Sequence, residues 1–153
     1  MLTSIQDWFE KNFVVVAKEE SDEVSLQKAA AVLLCEIMHA DHDVDSVEQA
    51  TILDAMQTFL EMSAKSAKIL YDEIEVLMKD ALSIQQFTSL LNEQYNEEKK
   101  LILLRWLWRV VYADGRMDAH EEHLVRRISD LLYVRHSDYI RIRNLVCGEA
   151  ENS

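Results

Sequence analysis

One acidic pattern, A-D-x-x-x-D-x-x-E, occurs twice in the chain: Ala40-Asp41-His42-Asp43-Val44-Asp45-Ser46-Val47-Glu48 and Ala113-Asp114-Gly115-Arg116-Met117-Asp118-Ala119-His120-Glu121. The shift between the copies also superimposes Leu34 on Leu107, Ile52 on Val125, Ala55 on Ile128 and Phe59 on Leu132. Apolar positions at helical spacing therefore repeat together with the acids, as an internal duplication requires. Each copy follows a strongly apolar run and precedes an amphipathic one, so each reads as a junction between two helices.

Residue usage restricts the fold further. The 153 residues contain no proline and only two glycines, Gly115 and Gly148, while Leu, Ala, Glu, Lys, Arg and Met fill long periodic stretches. Such a chain is all-α and long enough to bury one core without disulfides or a structural metal. About eight helices are expected, over 3–17, 24–40, 46–61, 63–79, 83–93, 96–113, 119–134 and 137–147. Residues 1–23 read as an N-terminal amphipathic helix with an acidic loop from Lys18 to Glu23. Residues 24–148 read as the helical domain, with pseudo-repeats over about 24–80 and 97–148, and residues 149–153 as a frayed tail. Ser63, Ser83 and Ser137 sit where helix caps belong. The two most apolar helices, each feeding an acidic junction, should pack side by side at the centre, because neither has a wide polar face.

The net charge of -12 argues against nucleic acid as a general partner. Charge is also uneven: residues 1–98 carry 20 acids and 6 bases, residues 99–153 carry 8 acids and 10 bases. That asymmetry makes contact between halves, or a homodimer, a candidate assembly. Cys35 and Cys147 have no metal-binding or redox spacing and suit free thiols in a reducing compartment. No signal peptide is read at the N-terminus. The longest apolar run, Leu101 to Ala113, contains Arg105 and Arg109 and should not insert in a membrane. The expected location is the cytoplasm.

The junction acids have two readings. Asp45-Ser46-Val47-Glu48 and Asp118-Ala119-His120-Glu121 match a capping box, and carboxylates there complement the helix dipole. Asp41 and Asp114 are not explained that way, because each lies at the end of the preceding helix, where a cation is preferred. Their compensation is either an arginine, with Arg105, Arg109 and Arg116 as candidates, or a bound divalent cation such as calcium or magnesium. The Asp41/Asp43/Asp45 spacing is not an EF-hand loop, since Ser46 stands where that loop needs glycine and Ile52 where it needs glutamate.

Other chemistry is thinner. Glu36 and His39 form one ExxH pair, but a di-iron bundle needs a second and the chain has none. His120 and His123 lack a further zinc ligand. No phosphate loop, nucleophile elbow or HExxH is present, which argues against an enzyme. Trp106 and Trp108 read as core bulk. The Arg126-Arg127 and Arg141/Arg143 groups read as solvated faces pairing with Glu121, Glu122 and Asp138, or as a patch for an acidic partner.

The segment Ala113-Asp114-Gly115-Arg116-Met117-Asp118-Ala119-His120-Glu121-Glu122, with the apolar helix before it and Leu131-Leu132 after it, resembles the step between two helices in the TerB-like family, the tellurite-resistance TerB proteins and their relatives. The resemblance spans roughly residues 24–147, and the first junction is a degenerate copy with His42 where glycine is usual. It implies an all-helical bundle of two repeated halves whose junctions lie near one another, with no enzymatic activity. It also implies an association with tellurite and other chemical stress, and a similar domain is found in a membrane-anchored J-domain cochaperone. A metal site implied by the resemblance falls on Asp41, Asp45, Glu48, Asp114, Asp118 and Glu121. The expected function is thus a non-catalytic protein that binds a divalent cation or a protein partner through paired acidic junctions. The alternative is a structural adaptor whose acids only cap helices and form salt bridges.

Overall fold

The computed structural model describes residues 19–40, 45–78, 83–116 and 118–151, and every regular element among them is helical. In chain order these are α1 (Glu19–His39), α2 (Ser46–Thr58), α3 (Ala64–Leu77), α4 (Ile84–Gln94), α5 (Glu97–Val111), α6 (Ala119–Leu131) and α7 (His136–Glu151). They correspond to seven of the eight helices expected from the sequence. The eighth, over 3–17, lies outside the described residues.

Two boundaries differ from the expectation. The acidic segment Glu19–Glu23 is helical from Glu19 rather than a loop; no proline or glycine separates it from the apolar run that follows. At the other end α7 continues through Gly148 to Glu151 instead of fraying after Cys147. Its last turn is held by Glu149, whose carboxylate accepts from Arg105 at 2.6 Å and Arg109 at 3.4 Å.

α1 is the central element. Ala29 through Cys35, together with Ile37 and Met38, are fully buried, and α1 packs against α2, α3, α4, α5 and α6. A helix with apolar residues on every side is stable only when surrounded in this way. α5 lies against α1, as its apolar sequence requires, and also touches α2, α6 and α7. Trp108 is completely buried there, its ring 5.9 Å from Tyr112 and 5.5 Å from Tyr139. Trp106 is 7% exposed and carries the Arg109 guanidinium over its face. Cys35 and Cys147 are free thiols.

The duplication is visible in the packing. α1 and α5 are the paired first helices, α2 and α6 the paired second helices, and α1 contacts α6 just as α5 contacts α2. The second helices also end alike. Glu61 and Tyr133 both take left-handed backbone, with φ of 56° and 59°. Val134 N–H then reaches the Ser129 carbonyl at 3.0 Å and closes α6 in a Schellman turn, while Met62 N–H reaches that of Met56 at 3.0 Å, a turn one residue wider. A side-chain amide completes each end: Gln27 Nε2 donates to Leu60 O at 2.6 Å and Asn92 Nδ2 donates to Leu131 O at 2.8 Å.

Candidate functional site

The second junction is ordered by its own backbone bonds. Ala113 N–H donates to the Val110 carbonyl and Gly115 N–H to that of Tyr112, tightening the end of α5. Gly115 has φ of +78°, and a Cβ there would meet nothing within 4 Å. Its role is therefore backbone conformation rather than space. Asp114 Oδ1 accepts from the Arg116 N–H at 2.9 Å, which fixes an exposed carboxylate at the junction. Asp118 caps α6, accepting from His120 N at 2.8 Å and Glu121 N at 3.1 Å.

The first junction is described from Asp45 onward, while Asp41 and Asp43 lie outside the described residues. Asp45 caps α2 by accepting from Val47 N at 2.7 Å. The capping halves of both boxes are thus formed as the sequence suggests. Glu48 and Glu121, three residues on, are each only 2% exposed. Both side chains are therefore shielded from solvent although each sits in the first turn of its helix.

These placements bring one set of acids together. One carboxylate oxygen each from Asp45, Glu48 and Asp114 lie within 4.8 Å of one another. Two come from the start of α2 in the first copy and one from the end of α5 in the second. The symmetric counterpart would combine Asp118 and Glu121 with Asp41. Asp118 and Glu121 do not belong to the three-acid group.

The donor set suits a hard cation. Calcium holds oxygen ligands at roughly 2.3–2.6 Å, so oxygens across one ion are separated by up to about 5 Å, and the three carboxylates fall inside that limit. Among the described residues, Arg105 and Arg109 form no ion pair with Asp114, the described member of the two acids they were candidates to neutralise. Both guanidiniums reach Glu149 on α7, and Arg116 meets Asp114 through its backbone N–H. The positive end of α2 faces the cluster, because Asp45 and Glu48 occupy its cap and first turn.

Residues at the remaining candidate positions have other roles. His39 Nε2 lies 2.8 Å from Glu75 Oε1, joining α1 to α3. Burial pushes the neighbouring Glu36 carboxyl above the usual glutamate range, opposed in part by His39. His120 and His123 are exposed. Arg141 pairs with Asp138 at 3.3 Å and Arg143 with Glu122 at 3.4 Å. The links from Arg105 to Glu149 and from His39 to Glu75 had no local sequence signal, since their partners lie 44 and 36 residues away.

The family model for tellurite resistance protein TerB matches residues 27–144, which covers the paired helices and both junctions. The chain belongs to the TerB family. No curated protein and no solved structure gives a significant match. Within this TerB chain the matched region begins inside α1 and ends inside α7, so it takes in the three-acid group and the buried centre. Among the described residues no helix is long and apolar enough to cross a membrane.

Proposed function

We propose that this TerB protein is a non-catalytic, cytoplasmic stress-response protein, linked to tellurite resistance as its family's description indicates, that holds a divalent cation between its two acidic junctions. One observation carries the reading: Asp45, Glu48 and Asp114 converge from two different helix ends. Calcium or magnesium fits the all-carboxylate donors better than zinc, which favours nitrogen and sulfur. Asp41, Asp118 and Glu121 complete the candidate set as its pseudo-symmetric counterpart. Bound cation would tie α2 to the end of α5 and so set the surface offered to a protein partner or a second copy.

A structural adaptor is the second reading, favoured by the cap bonds of Asp45 and Asp118. Asp114→Asn separates the two. Asparagine can still accept the Arg116 N–H, so the turn survives while the charge is lost. Chelator-treated wild-type protein should melt higher with calcium or magnesium, by about 2.7 kcal/mol at 100 times the dissociation constant, and the variant should lose most of that gain. Equal melting with and without each metal assigns the acids to capping alone.

A further inference from the structure

α6 and α7 both pack on α5 and make little contact with each other. The wedge between them is a cavity of about 310 Å³. Each helix presents residues at 0, 3 and 7 to this wedge: Ala119, Glu122 and Arg126 from α6, and His136, Tyr139 and Arg143 from α7. His123 adds a second imidazole. Two guanidiniums and two imidazoles thus face one carboxylate, in a chain whose net charge is -12.

The arrangement is partly built. Tyr139 is 5% exposed and forms a firm wall, with the His136 ring stacked 5.8 Å from its own. The Arg143 guanidinium lies 5.9 Å from the Trp108 ring centroid and 3.4 Å from Glu122. Arg126 makes no salt bridge among the described residues, so its fork remains available.

We propose that this groove binds a phosphate monoester. A guanidinium fork engages two phosphate oxygens at once, and arginines from two helices match a dianion with three terminal oxygens. Each imidazole offers an N–H donor in either charge state. A carboxylate, with two oxygens and one charge, is satisfied by a single arginine, as the Glu122 oxygen 3.4 Å from Arg143 Nε illustrates through one contact. The volume lies at the lower end of the roughly 300–1,000 Å³ of small-molecule sites and exceeds what bare phosphate fills, so the ester's organic part has room.

The test is a titration of the full chain, isotopically labelled for amide NMR, with phenyl phosphate at constant ionic strength. Phenylacetate serves as the carboxylate control. Saturable shifts should centre on residues 119–126 and 136–143, with phenylacetate at least tenfold weaker. Arg126→Gln should weaken phenyl phosphate at least tenfold, whereas Arg127→Gln, an exposed neighbour that does not line the groove, should leave it unchanged. Glu122→Gln should tighten binding by removing the like charge. Comparing phosphoserine with a phosphoseryl peptide distinguishes a free metabolite from a modified protein as the source. Equal affinity for phenylacetate, shifts spread over the whole chain, or equal losses in the Arg126 and Arg127 variants would overturn the assignment.

Discussion

Glu36 illustrates how a single position in this bundle can act against stability at neutral pH. Burial pushes its carboxyl above the ordinary value of 4.5, and His39 offsets only part of that. The folded state therefore favours the protonated acid. Its contribution is most favourable below the unfolded value and is lost as pH rises through the folded one. Glu36→Gln should accordingly raise the urea midpoint at pH 7, with the gain disappearing near pH 3.5, where wild-type glutamate is itself neutral. A gain of equal size at both pH values would show that the effect comes from packing. The junction acids differ in kind: Asp45 and Asp118 accept from amides of a helix's first turn, while Asp114 accepts from the Arg116 amide within the junction and is exposed. Only the last can change charge without loss of a helix cap.

At the scale of elements, the helices were readable and their ends less so. Periodicity, the absence of proline, and the caps at Ser63, Asp45 and Asp118 locate most starts, and Asn96, read as the first residue of its helix, caps α5 instead. Ser83 occupies a cap position without a side-chain cap bond, and α7 begins at His136, placing Ser137 inside its first turn. The last turn of α7 depends on a tertiary ion pair. Partial burial pushes the Glu149 carboxyl up, but hydrogen bonds and charge from Arg105 and Arg109 outweigh it and hold the group below the usual range. A depressed folded value means that the stabilisation is present above 4.5 and fades as pH falls through the folded value. Glu149→Gln should speed amide exchange over residues 146–151 at pH 7 and much less at pH 3. The global cost should stay at or below about 1 kcal/mol, because both partners are partly solvated. Unchanged exchange in that turn would mean that the helix holds itself.

Across the whole molecule, the two halves of the duplication complete one core. α1 and α5 lie against each other, and each first helix packs on the other copy's second helix. A fragment holding only residues 83–153 would expose Leu103, Leu107 and Val111, which the intact chain buries to within 1%. It should lack a cooperative thermal transition by circular dichroism, and mixing it with residues 1–82 should restore one. A fragment that melts cooperatively alone would make the halves independent domains.

The all-helical class, the duplication and the six candidate acids follow from the sequence, because period, caps and residue type are local properties. That the two apolar helices meet at the centre also follows, since no other arrangement removes both from water. Tertiary structure alone decides which acids share a space. Asp45, Glu48 and Asp114 converge in one group that does not include Asp118 or Glu121, since proximity depends on how one junction docks against the other. The same holds for Arg105 and Arg109, which among the described residues pair with Glu149 on α7. Sequence records where charges occur along the chain; the packing of α5 against its neighbours determines which of them meet.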